Sequence, residues 1–370
     1  MSSPRVRIRP RRTSMTVAVT AAATPVGDRI VRALLARSAL AAAIGTVVGL
    51  GEDRGGADGV QWRLADLGSP DLATSLRGVD ALIHVAACTD LAADLRLSAR
   101  ARRERVTREI QTVVISAAAA GVRRLIVVTS AMMYGASPAN AVPLPEDAPL
   151  AADPDEGLVG DLLVVEQILR AAAEVHTGLA VTVVRPAALV GPDIDTVITR
   201  HFEAPRLLTV KGGCPAWQFC HVDDLATALA TTVELGLGPV VTVGSPGWMT
   251  QDEVGAVSGM QEVELSESMA LGIGQRLHRV GILPFPATDV AYVVYPWAIS
   301  SATLVAAGWQ PAYDNMTCLS ALIESIRGHY AVGARRLERK DAALGAASAA
   351  VALVGTAAIM RRRRSKGAGT

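Results

Sequence analysis

Residues able to do acid–base work are scarce in the first half of this chain. A phenol serves as a proton-exchanging group near neutral pH when an ammonium beside it stabilises the phenolate and lowers its pKa. Residues 1–210 contain no Lys, and Tyr134 is their only Tyr. Ser130 closes the apolar run Arg124–Ser130, but a serine without a base is not activated. His84 sits inside another apolar run, His201 in a segment of helical pattern, and His221 opens His221-Val222-Asp223-Asp224. Each reads first as a structural histidine. Asp193 and Asp195 follow Gly191-Pro192, a spacing that suits a capped loop. Cys88, Cys214, Cys220 and Cys318 form no CxxC pair. Their spacing fits neither a zinc site nor a disulfide framework, and they read as reduced thiols of a cytoplasmic protein.

One stretch has the form of a phosphate site. An apolar run ends in Thr20-Ala21-Ala22-Ala23-Thr24-Pro25-Val26-Gly27. In dinucleotide folds three glycines here serve a tight turn, close approach of the diphosphate, and helix–strand packing. Gly27 holds the last position, while Ala21 and Thr24 stand at the first two. Thr24 can cap the helix that follows and Pro25 suits its first position. The free N–H groups and dipole of such a helix start attract a phosphate; Thr24 adds bulk where the diphosphate would lie. An ordinary βα turn is the competing reading.

The elements that must position these residues alternate. Strands are expected at Thr16–Thr20, Ile44–Leu50, Val60–Leu64, Asp80–Ala87, Arg124–Ser130 and Leu179–Arg185, and helices from Pro25 to about Arg37, over 97–120 and over 158–175. The strands are near-continuous apolar runs, as burial on both faces of a parallel sheet requires. Their alternation with helices implies an α/β, Rossmann-type doubly wound parallel sheet. Beyond residue 186 the order is less regular, with more Gly, Pro and Trp. The expected organisation is a basic arm over 1–14, a dinucleotide-binding domain over 15–186, a smaller C-terminal substrate-side portion over 187–330 interleaved with the sheet, and a tail over 331–370.

Further segments, in order, resemble the NAD-dependent epimerase/dehydratase family of extended short-chain dehydrogenases. The turn at Thr20–Gly27 resembles a degraded TGxxGxxG. Asp66-Leu67 resembles the pair whose carboxylate meets the adenine amino group, and His84-Val85-Ala86-Ala87 the strand that lines the cofactor. Thr129-Ser130-Ala131-Met132-Met133-Tyr134-Gly135 resembles SSxxxYG, and Pro145-Glu146-Asp147 the acidic loop after it. Arg185-Pro186 with Val190-Gly191-Pro192, His221–Asp224, and Gly308-Trp309-Gln310-Pro311 complete the series. The resemblance spans roughly residues 15–330. It implies NAD or NADP as cofactor, held by Thr20, Ala21, Thr24, Pro25, Val26, Gly27, Asp66, Leu67, Ala86, Ala87 and Pro186. It also implies a homodimer through the helices near 97–120 and 158–175.

Departures from the family pattern bear on function. Aligned on Glu166-Gln167, Leu158 stands at the family's catalytic Tyr and Leu162 at its Lys, so Ser130 is the surviving catalytic position. The acid that would grip the adenosine ribose is displaced: Gly51 follows Leu50, and Glu52 and Asp53 come late. Arg54 would suit a 2′-phosphate, so NAD and NADP both stay open. Trp217 stands where sugar-nucleotide enzymes often carry an Arg for the diphosphate.

The bulk numbers bound the rest. Half the residues are hydrophobic, enough for a sizeable core, and 36 basic against 35 acidic residues exclude a global nucleic-acid-binding charge. Residues 342–360 are uncharged and Arg361–Arg364 follow. That tail reads either as an anchor to the inner face of the cell membrane through 342–364 or as an Ala-rich packing helix. Three functions follow. The first is a nucleotide-binding protein without the Tyr–Lys chemistry. The second is an active NAD(P)-dependent oxidoreductase or epimerase acting on an unidentified small molecule, using Ser130 with His221 or Asp193. The third is a Rossmann scaffold that binds no dinucleotide.

Overall fold

The computed structural model describes residues 14–40, 43–87, 91–204, 206–266, 268–270, 272, 287–327 and the backbone of strands 329–332 and 335–338. The basic arm over 1–13, Cys88, and the apolar and basic tail over 342–364 lie outside the described residues. Among the described residues no helix is long and apolar enough to cross a membrane.

The chain runs β1 (Met15–Thr20), α1 (Pro25–Leu40), β2 (Ile44–Gly51), β3 (Gln61–Leu64), α2 (Leu72–Ser75), β4 (Ala81–Val85), α3 (Leu91–Asp94), α4 (Ala99–Ala120) and β5 (Arg124–Val128). It continues through α5 (Leu158–Val175), β6 (Ala180–Pro186), β7 (Ala188–Val190), α6 (Val197–Phe202), β8 (Leu207–Val210), β9 (Phe219–His221), α7 (Val222–Leu235) and β10 (Val240–Val243). Later come α8 (Gln251–Ser258), β11 (Glu262–Leu265), α9 (Ala302–Ala306) and α10 (Asn315–Ile326). Among the described residues seven strands form one parallel sheet in the order β10-β6-β5-β4-β1-β2-β3. This is a doubly wound, Rossmann-type α/β fold. The chain winds outward from β1 in one direction and from β4 in the other, so the C-terminal ends of these two strands form a topological switch point.

Both faces of the sheet are covered, which explains the uninterrupted apolar strands. Val17 and Val19 of β1 and Ile83 of β4 face α1 and α7, while Ala18 and Leu82 face α4 and α5. Each fully buried Val, Leu or Ile contributes about 1.5–3 kcal/mol, so this two-sided burial is the main source of stability. Helix α1 is tied to α7 by Arg29–Asp223 (3.3 Å) and Arg37–Glu234 (2.7 Å).

The helix over 158–175 has the expected bounds, whereas several ends differ. Helix α4 starts at Ala99 because the Ser98 hydroxyl accepts from the Ala101 amide (3.2 Å). The run 124–130 leaves the sheet after Val128, where Ser130 caps a 3₁₀ turn over Ala131–Tyr134. The run 80–87 pairs only over Ala81–Val85.

Residues after 186 place smaller units beside the sheet. Strand β7 pairs with β9 and β8 with β11, both parallel. Two family-like motifs act as clamps in this part. The Asp224 carboxylate accepts from the amides of Ala312 (2.8 Å) and Tyr313 (3.1 Å), and the Trp309 indole donates to Thr227 (3.1 Å). Glu146 accepts from Thr242 and Thr303, fastening the acidic loop to the sheet edge and to α9.

Candidate functional site

The switch point carries a cleft of about 310 Å³. Its wall begins at the turn after β1. Ala21 adopts φ +51°, the left-handed region that favours glycine. The Thr24 hydroxyl donates to the Ala21 carbonyl (2.7 Å) and accepts from the Gly27 amide (3.2 Å). Gly27 is required for packing: a Cβ there would lie 2.1 Å from the Ala21 carbonyl oxygen. Thr20 is wholly buried beneath the cleft; its hydroxyl accepts from the Val85 amide (3.0 Å) and hydrogen-bonds His84 Nδ1 (3.0 Å). Burial pushes His84 down to about 4, so the ring is neutral at physiological pH.

Ala21, Thr24, Asp66, Leu67 and Ala86 line this cleft together. Thr20, Pro25, Val26 and Gly27 stand behind its lining. The lining is acidic: Glu52, Asp53, Asp66, Asp94 and Glu109 stand with one cation, Arg105, among the described lining residues. Arg105 is paired to Asp94 and lies 3.7 Å from Glu109. Burial first, and then the field of Asp94, raises the Glu109 carboxyl above its ordinary range against the pull of Arg105.

Ala86, Asp94 and Val106 also line a second, adjacent cavity of about 110 Å³. Ala87, Ser130, Leu158, Leu162 and Pro186 meet in it, joined by Met132, Ile198 and Trp297. The Ser130 hydroxyl accepts from the Met132 amide (3.2 Å). Helix α5 supplies Leu158 and Leu162, and Asp161 between them binds Arg102 Nε (2.5 Å) and Arg103 Nε (2.8 Å) of α4. Arg102 also donates to the Glu156 carbonyl (2.5 Å). Beneath the cavity Thr129 donates to Glu166 Oε1 (2.8 Å), and Arg185 forks onto the same carboxylate at 3.0 and 2.5 Å.

Residues 17–244 match the family described as NAD dependent epimerase/dehydratase. The chain belongs to this family. Over 239 residues it is 29% identical to uncharacterized proteins of Mycobacterium tuberculosis (strain ATCC 25618 / H37Rv) and Mycobacterium bovis (strain ATCC BAA-935 / AF2122/97), covering 64% of this chain and 56% of each of theirs. It thus spans about half the length of these curated relatives. Among solved structures, dTDP-glucose 4,6-dehydratase DesIV from Streptomyces venezuelae, with NAD and TYD bound, aligns at TM-score 0.63 and 19% identity, covering 85% of this chain and 97% of that one. UDP-glucose 4-epimerase from Thermotoga maritima, with UDP-glucose, aligns at TM-score 0.62 and 17% identity, covering 85% and 99%. At these identities the likeness concerns the fold.

Within this epimerase/dehydratase member the aromatic hydroxyls near the cavity are committed elsewhere. Tyr134 donates to the Glu146 carbonyl (2.7 Å) and Tyr292 to the Met132 carbonyl (2.8 Å). Burial raises both phenols above their ordinary range. His221 caps α7, accepting from the Asp223 amide (3.3 Å), and stacks 3.7 Å from Tyr313. His201 packs against Phe202 and Trp217, and burial takes it down to about 4. Asp195 is forked by Arg200 at 2.8 and 2.7 Å, and Asp193 is exposed with φ +61°. None of these hydrogen-bonds Ser130. Trp217 is buried and donates to Gln251 (2.9 Å).

Sequence reasoning missed the Arg102–Asp161 pair and Glu109 in the cleft lining. Their signal was the run Arg100-Ala101-Arg102-Arg103-Glu104-Arg105, which reads as a solvated basic helix start until α5 is packed against it. Asp289 was missed too: it is buried, with Oδ2 unpaired among the described residues, and burial pushes its carboxyl up to about 7.

Proposed function

We propose that this chain binds a nicotinamide dinucleotide, NAD in preference to NADP, and lacks the Tyr–Lys acid–base chemistry of its family. The carrying observation is that α5 offers Leu158 and Leu162 to the cavity beside Ser130, in a chain with no Lys before Lys211.

The residues fit a dinucleotide in part. Gly27 permits the close packing of α1 on the turn, Asp66 and Leu67 stand at the adenine end, and Glu52 and Asp53 can accept from ribose hydroxyls. The acidic lining disfavours an added 2′-phosphate by like-charge repulsion, and Arg54 is exposed and outside the cleft lining. The diphosphate position is the weaker part. Pro25 has no N–H and Thr24 already uses the Gly27 amide, so the helix start offers fewer donors than a glycine-rich turn. Hydride exchange with a nicotinamide requires a group that takes or gives a proton at the substrate oxygen. Ser130 hydrogen-bonds no base among the described residues, and the nearby phenols are pushed away from ionisation.

Calorimetric titration tests this reading. NAD is expected to bind saturably and at least tenfold more tightly than NADP. Absence of binding at millimolar concentrations of either would remove the cofactor reading and favour a scaffold.

A further inference from the structure

The cavity beside Ser130 is apolar in a way that a phosphorylated ligand cannot use. Its charged lining residues among those described are Asp94, Arg102, Asp161 and Asp195. Each is already matched. Arg102 is spent on Asp161 and the Glu156 carbonyl, Arg105 on Asp94, and Arg200 on Asp195. A diphosphate entering here would meet three carboxylates and a guanidinium that is 5% exposed and doubly bonded. Desolvating phosphate oxygens without new partners is costly. Trp217, buried and bonded to Gln251, adds no cation. An apolar ligand meets Leu158, Leu162, Met132, Ile198 and Trp297, and gains in proportion to the apolar surface it buries against them. The polar handles left are two hydroxyl protons: Ser130 accepts from the Met132 amide and Thr196 from the Thr199 amide, and neither hydroxyl donates to a described residue. The neighbouring Thr129 hydroxyl already donates to Glu166.

We propose that this cavity takes an uncharged, largely apolar small molecule carrying one hydroxyl or carbonyl oxygen toward Ser130, and that it excludes nucleotide-linked sugars. The proposal rests on the cavity being the substrate end of the nucleotide cleft. The probe is 2-naphthol, an uncharged fluorescent bicycle with a single hydroxyl, titrated into the full chain. Expected are saturable binding at one site, no displacement by millimolar UDP-glucose, and at least a tenfold loss of affinity in Leu158→Asp. That variant suits folding, since Leu158 lies in the first turn of α5, where a carboxylate favours the helix dipole. Leu162→Asp provides a second reading of the same wall, and a thermal melt checks both. Absence of saturable binding, displacement by UDP-glucose, or unchanged affinity in both folded variants would overturn the proposal. NAD titrated separately keeps the two readings apart. Naphthol binding without NAD binding removes the cofactor reading alone, and NAD binding without naphthol binding removes this one alone.

Discussion

At the residue scale, Thr24 decides how well the turn after β1 can hold a diphosphate. Its hydroxyl satisfies the Gly27 amide that would otherwise face an anion. Glycine also caps helices, at a loss of only a few tenths of a kcal/mol. Thr24→Gly frees the amide and the volume. A hydrogen bond to a charged acceptor contributes about 1.5–3 kcal/mol, so NAD affinity is expected to rise roughly tenfold, read by calorimetry. Gly27→Ala does the opposite to packing. Its Cβ would meet backbone 2.1 Å away, and urea unfolding should show a loss of roughly 1–3 kcal/mol or more. Asp289 gives a pH-dependent prediction. Its folded carboxyl holds a proton up to about 7, which the unfolded chain releases in the ordinary carboxylate range. Its contribution is therefore fully present at low pH and lost as pH rises through about 7. Asp289→Asn should leave the melting temperature nearly unchanged at pH 4. At pH 8 it should raise stability by on the order of 1–3 kcal/mol, the cost of an unsatisfied buried group.

At the scale of elements, polar ties fix the site's walls where apolar packing leaves them free to slide. Glu166 of α5 joins Arg185 of β6 and Thr129 after β5. Both ion partners are nearly inaccessible. Glu166→Ala leaves a buried guanidinium uncompensated and should cost about 3–5 kcal/mol. The double change Glu166→Ala with Arg185→Met should cost far less than the two single changes summed, a non-additivity that denaturant titration of the native chain, both single variants and the double variant reads. The start of α4 binds the start of α5 through Arg102, Arg103 and Asp161 in the same way. These ties show where the sequence was readable. Val17–Val19 and Leu82–Ile83 announce a doubly covered parallel sheet because burial on both faces leaves no alternation, and the span of α5 follows from its own apolar pattern. Ion pairs between residues 59 apart, such as Arg102 with Asp161, have no local periodicity to betray them. Element ends were misjudged where a single hydroxyl, Ser98 before α4 or Ser130 after β5, starts the next element.

At the scale of the molecule, the cleft at the switch point between β1 and β4 and the apolar cavity beside Ser130 share Ala86, Asp94 and Val106 in their walls. The order of the short motifs made the fold readable, and several prove to be clamps: Asp224 on the Ala312–Tyr313 turn and Glu146 on the sheet edge. Their likeness to the family thus speaks for architecture more than for chemistry. What distinguishes the molecule is the lining: carboxylates around the cleft, leucines where α5 meets the cavity, and phenols held away from ionisation. The most direct measurement is incubation of the purified full chain with NAD and a panel of hydroxyl compounds spanning polyols, sterols and nucleotide-linked sugars, read by absorbance at 340 nm for net oxidation and by chromatography of the compounds for redox-neutral conversion. The account predicts cofactor binding with no sustained NADH formation and no redox-neutral conversion. Steady turnover that disappears on Ser130→Ala would contradict it.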